Sequence, residues 1–236
     1  MQNGVKDLID LKIKTLFGKP PKKKFDPLFT KNQNKLRSIL HTATIKHGHV
    51  LEAVYLNAVR SEKKTFKVWS EPEFCISAEA HNKSKNQTSK RILESTEPYG
   101  ECMLVGKKQK PRKIQVDVIV YDHINEEVTA YEIKRGGVAH DRGKKESIIA
   151  DVIAVQVLLK DYAEQRNLKV KRAKSLIISH YGAALTKNEW KELQINGDEV
   201  DSHFDAEISK HASEAEEYWI KCFNQNYNEL MEKLTN

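Results

Sequence analysis

Lys-Ile-Gln-Val-Asp-Val-Ile-Val-Tyr-Asp-His-Ile-Asn-Glu-Glu-Val-Thr-Ala-Tyr-Glu-Ile-Lys-Arg-Gly-Gly occupies residues 113–137 and decides how the rest of the chain is read. From Ile114 to Tyr121 the run is rich in β-branched residues, and a second such run extends from Val128 to Lys134. Two strands joined by a polar turn are therefore predicted. Asp122, His123 and Asn125 suit that turn, so a metal-binding histidine there is not needed to explain them. Side chains repeat every second residue in a strand, which sets Glu132 and Lys134 on one face. Asp117 lies within the apolar first strand, where an unpaired carboxylate is costly to bury. An acid on one strand can thus converge with an acid and a lysine on the next.

Upstream, Val5, Leu8, Ile9, Leu11, Ile13 and Leu16 recur at roughly helical spacing, and Gly18-Lys19-Pro20-Pro21 ends that helix. Lys22-Lys23-Lys24 reads as a solvated turn. From Asn32 to Arg60 the apolar positions predict one long helix or two shorter ones broken near Gly48. Strands follow at Phe66–Trp69 and Glu73–Ser77, arms that Pro72 would split or bend. Residues 78–112 form a basic insertion without clear periodicity, and a loop of that length in a compact domain is a candidate for function. Downstream, Ser147 is the expected N-cap of a buried helix running to about Arg166, followed by a strand at Lys174–Ser179. An acidic, amphipathic helix is predicted from about Phe204, within an acidic C-terminal region at about 186–236.

A chain of 236 residues can form one domain, and a single domain spanning 1–236 is expected, with its core at about 32–179. The net charge is +7, but its distribution says more. From Glu189 onward there are four Lys+Arg against twelve Asp+Glu, a net of −8, which leaves +15 on the preceding residues. The basic character thus lies with the carboxylate-lysine cluster, as a polyanionic partner would require. Cys75, Cys102 and Cys222 are too few and too scattered for a disulfide framework or a zinc knuckle. No apolar stretch is long enough to span a bilayer, and a soluble, cytoplasmic protein is expected. His47 and His49, two residues apart, would diverge across a helix and make a poor zinc pair.

The predicted order of helix, three strands, helix and strand, with Asp117 on the second strand and Glu132-Ile133-Lys134 on the third, resembles the PD-(D/E)xK nuclease superfamily. The resemblance covers about Asn32 to Ser179 and is most like a type II restriction endonuclease. It implies an α/β, restriction-endonuclease-like αβββαβ core: a mixed central sheet flanked by helices, here with extra N- and C-terminal helices. Gly48-His49-Val50-Leu51-Glu52 resembles the acid that several branches carry on the first helix. Val116 stands where the motif's name has proline. Gln156 and Tyr162 do not have the Gln-x-x-x-Tyr spacing of the exonuclease-like branch.

Asp117, Glu132, Lys134 and Glu52 are accordingly the expected catalytic residues. Mg²⁺ takes hard oxygen ligands and often only one or two protein carboxylates. Asp117 and Glu132 can supply those, with the Ile133 carbonyl a third ligand implied by the resemblance and Mn²⁺ an expected substitute for Mg²⁺. Lys134 can orient water or stabilise charge at phosphorus. Lys90, Arg91, Lys107, Lys108, Lys110, Arg112, Arg135, Arg142, Lys144 and Lys145 are the expected DNA contacts. Cutting both strands of a duplex with one site per chain implies a homodimer, for which the acidic C-terminal helix is a candidate interface unless it packs on its own core. A repair or junction-resolving nuclease would use the same residues, and a non-catalytic DNA-binding protein could retain the same fold.

Overall fold

The computed structural model describes residues 2–18, 26–85, 93–100, 112–136, 141–182 and 188–235. Contacts divide the chain into two compact units, residues 1–58 with 207–236, and residues 59–206.

The first unit is helical. Helix α1 (Asn3–Gly18) buries Val5, Ile9, Ile13 and Leu16, the stripe expected from their three- and four-residue spacing. Helix α2 (Lys31–Glu62) begins in this unit and runs unbroken through Gly48 into the next. A capping box starts it: Gln33 N–H donates to Thr30 Oγ1 at 3.3 Å, and Thr30 N–H donates to Gln33 Oε1 at 2.9 Å. Among the further elements, the C-terminal helix (α6, Ile208–Thr235; α3 to α5 follow below) places Ala212, Ala215 and Trp219 in one cluster with residues of α1 and α2. The apolar stripe of this acidic helix therefore packs on its own core rather than standing open. Tyr218 O–H reinforces the packing by donating to Asp10 Oδ1 at 2.8 Å.

The second unit is built on a five-stranded sheet in the order β1-β2-β3-β4-β5. Strand β1 (Phe66–Ile76) pairs antiparallel with β2 (Arg112–Asp122), which pairs antiparallel with β3 (Glu127–Lys134). Strands β4 (Arg172–Ser179) and β5 (Gln194–Asn196) then add in parallel, so the sheet is mixed. The two arms expected around Pro72 are a single edge strand, because an edge tolerates proline and the register merely slips there, between Glu71 and Phe74. At the turn between β2 and β3, Asp122 Oδ1 accepts the Ile124 N–H at 2.8 Å, and its hydrogen bonds hold the carboxyl below its ordinary value.

Helix α3 (Ala78–Lys85) occupies part of the insertion read as irregular. Its mostly polar sequence hid the periodicity, although Ala80 is fully buried against the sheet cluster. Helix α4 (Arg142–Glu164) covers one face of the sheet, its Val155, Leu158, Leu159 and Tyr162 meeting Phe74, Ile119, Tyr121 and Val128. Its N-cap lies six residues before the expected Ser147. Asp141 is the cap, accepting the Lys144 N–H at 2.9 Å, and the first turn is polar, so apolar periodicity alone could not reveal it. After β5 comes a short helix α5 (Val200–Phe204), ended by left-handed Asp205.

Two glycines make opposite predictions. A Cβ on Gly197 would stand 2.0 Å from the His180 carbonyl oxygen, whereas one on helical Gly48 meets nothing within 4 Å. Gly197→Ala is expected to cost about 1–3 kcal/mol, because backbone must move to admit the methyl. Gly48→Ala is expected to add roughly 0.5–1 kcal/mol by reducing unfolded-state freedom in a helix interior. Urea unfolding of the two variants beside the wild type measures both.

Candidate active site

The site forms where β2 and β3 stop pairing. Their ladder runs from Asp122–Glu127 to Val118–Tyr131. Beyond that pair, the Ile133 N–H donates to Asp117 Oδ2 at 2.8 Å, so a side-chain oxygen takes the place of a ladder carbonyl. On its other edge β2 carries a bulge: Trp69 pairs with Ile119 and Glu71 with Val116, so Asp117 and Val118 stand opposite Ser70 alone. Such an extra residue re-aims a side chain locally. Asp117 is 6% exposed, and its second oxygen, Oδ1, accepts from Gln115 Nε2 at 2.9 Å. Gln115 thereby holds the acid.

Glu132 and Lys134 share a face as the strand period requires, and their side chains form an ion pair. Burial pushes the Glu132 carboxyl up to about 7; the charges of Asp117 and Asp151 add to the rise, and Lys134 opposes it. Asp151, on the third turn of α4, is a residue the sequence reading missed as a partner of this site. Its only signal was the interruption of the apolar run from Ile148 to Leu159. Arg112 grips it through both nitrogens, at 2.6 and 2.8 Å. This expected DNA contact is therefore engaged by an internal carboxylate in a bidentate pair.

Two carboxylates, Asp117 and Glu132, face one neighbouring ammonium, while Asp151 has its own guanidinium. A divalent cation would offset the remaining negative charge, and two carboxylates with a main-chain carbonyl are a sufficient protein contribution for Mg²⁺. Peptide groups alternate along a strand, and the Lys134 carbonyl is turned to β4, where it accepts from His180 N–H at 2.9 Å. The Ile133 carbonyl, like its N–H, is thus directed toward β2. Among the described residues there is no cluster of three or more His, Cys, Asp or Glu that could hold a metal by side chains alone.

The other expected residues divide. Glu52 stands half-buried on α2 in the helical unit. Arg135 follows Lys134 directly, its guanidinium carbon 5.1 Å from the Tyr181 ring centroid. Arg142, Lys144 and Lys145 lie on the first turn of α4, where cations oppose the helix dipole; Arg142 is bridged to Glu146 at 2.7 Å. Lys90, Arg91, Lys107, Lys108 and Lys110 lie outside the described residues. His47 is buried beside Trp219 while His49 is exposed, consistent with divergence across the helix. Gln156 has a structural task, its Nε2 donating to the Ala173 carbonyl at 2.6 Å and its Oε1 accepting from Ser175 N–H. A cavity of about 550 Å³ lined by Gln156, Arg172 and Lys174 lies toward the start of β4, whereas Glu132 and Lys134 pair with Ile177 and Ser179 near its end.

The raised Glu132 value has a measurable consequence. Between about pH 4.5 and 7 the folded carboxyl keeps a proton that the unfolded chain has released, so stability falls as pH rises and the penalty is complete above 7. Glu132→Gln cannot ionise. In metal-free buffer it is expected to raise the urea midpoint at about pH 8 and to leave it nearly unchanged at about pH 4; an equal effect at both pH values would contradict the assignment.

A family model described as HinfI, type II restriction endonuclease, matches residues 4–236. No curated protein and no solved structure matches the chain.

Proposed function

The chain belongs to the HinfI family of type II restriction endonucleases, and from that premise we propose that it hydrolyses phosphodiester bonds of double-stranded DNA in a Mg²⁺-dependent reaction, using Asp117, Glu132 and Lys134. The observation that carries the proposal is the convergence of a buried, doubly hydrogen-bonded Asp117 with the Glu132–Lys134 pair at the splayed end of β2 and β3. The family match extends over both compact units, and the whole chain is read as one nuclease domain.

Asp117, Glu132 and the Ile133 carbonyl would hold the metal. Bound there, Mg²⁺ would make a coordinated water more acidic and neutralise charge on the scissile phosphate. The protein's own part is positional. Ile133 N–H and Gln115 fix the Asp117 carboxylate, so its rotamer need not be ordered when substrate arrives. Lys134 presents an ammonium on the Glu132 face, where it would orient the attacking water or meet negative charge as the P–O bond breaks. Mn²⁺ has the same preference for oxygen ligands and is expected to substitute. Since each chain carries one such site and a duplex has two strands, the acting species is a homodimer, in a cytoplasmic setting where DNA is accessible. No described helix is long and apolar enough to cross a membrane.

Asp117→Ala and Lys134→Ala are expected to lower plasmid cleavage by at least about 10²- to 10³-fold while leaving DNA binding largely intact. Phage DNA should give a discrete ladder of fragments. A smear would remove site specificity, preferential cutting of four-way junctions would favour a resolving nuclease, and binding without any cutting in Mg²⁺ would leave only a DNA-binding protein.

A further inference from the structure

The parallel pairing of β3 with β4 continues past their last regular residues. His180 N–H donates to the Lys134 carbonyl at 2.9 Å, and Tyr181 N–H donates to the Arg135 carbonyl at 3.0 Å. Arg135 and Tyr181 are thereby fixed relative to the lysine of the site. Directly after Tyr181 the chain turns away through Gly182, whose φ is 71°. Just after β5, Gly197 buttresses the His180 carbonyl so closely that no side chain would fit between them. These contacts make the carboxyl ends of β3 and β4 a braced platform rather than a loose loop.

Two side chains of this platform have the chemistry of a polyanion contact. Tyr181 is 43% exposed, and the Arg135 guanidinium lies over its ring. The His180 ring, 4.7 Å from that of Tyr181, backs the pair. A guanidinium resting on a ring is held by its face, while its N–H donors lie in its own plane and match phosphate oxygens. Arg135 is the residue after Lys134, just past the end of β3, and its guanidinium is held over Tyr181. Held by that ring, it is suited to a phosphate other than the one being cut.

We propose that Arg135 is a phosphate clamp that holds the DNA backbone beside the bond presented to Lys134, and that Tyr181 is the positioning residue that orients its guanidinium. The proposal rests on the nuclease reading and deepens it. The clamp fixes the backbone by charge and shape and reads no base, so its contribution is the same for every DNA sequence.

The test uses the full chain, a fluorescein-labelled DNA duplex and anisotropy titrations over a series of NaCl concentrations, in metal-free buffer so that the duplex stays intact. Arg135→Ala should weaken binding about tenfold or more and reduce the slope of log K against log[NaCl] by about 0.9, the signature of one lost phosphate contact. Arg135→Lys should recover the slope with affinity still below wild type. Tyr181→Ala should weaken binding in the wild-type background and add nothing to Arg135→Ala, because the ring acts through the guanidinium. A structural role for either residue would move the unfolding midpoint but not the salt slope. A wild-type slope in Arg135→Ala, or strictly additive losses in the double variant, overturns the clamp while the nuclease reading stands. Failure of the wild-type chain itself to bind or cut duplex DNA overturns both.

Discussion

The hydrogen bond from the Ile133 amide to the Asp117 carboxylate is the constraint on which the site depends. Two strands that pair along their whole length leave no room for a substrate between them, and two that simply part expose unsatisfied amides. Here the strands part, and a side-chain carboxylate takes the amide that the ladder gives up. The bulge at Asp117 and Val118 brings the acid to that point, and Gln115 holds its other oxygen. One local irregularity thus satisfies the backbone, buries an acid at tolerable cost and turns the next carbonyl toward the same place.

The charges around this bond are graded rather than balanced. Asp151 is closed off by a bidentate arginine, and Glu132 has a lysine but also two acidic neighbours and little water, which is why its carboxyl rises to about 7. The site therefore has a deficit of positive charge at its centre, with the cation of Arg135 on the residue after Lys134. That distribution fits a membership in which the substrate is a polyanion. Negative charge at the centre with positive charge beside it favours phosphates that arrive together with a cation.

Several elements were plain from residue patterns. The stripe of α1, the two strands of the hairpin and the apolar strand β4 were predicted close to their observed limits, because each buries a face whose period matches its backbone. Helix α3 and the first turn of α4 were not, because they present polar residues and depend on a single buried alanine or on one capping carboxylate. Strand β5 is three residues long and has no period to detect.

The residues of the site were legible in the same partial way. Alternation alone put Glu132 and Lys134 on one face, and the type and order of the residues marked Asp117 as their companion. Which groups hold that acid, which carboxylate presses on Glu132, and that Arg112 is tied to Asp151 were decided only by folding. Each of these facts concerns residues from different elements, or a slip in register between strands, and a one-dimensional pattern carries the period of an element but not its neighbour's register. The sequence by itself determined the chemistry available; tertiary structure decided its aim, since a carboxylate's direction and ionisation are set by what surrounds it in space.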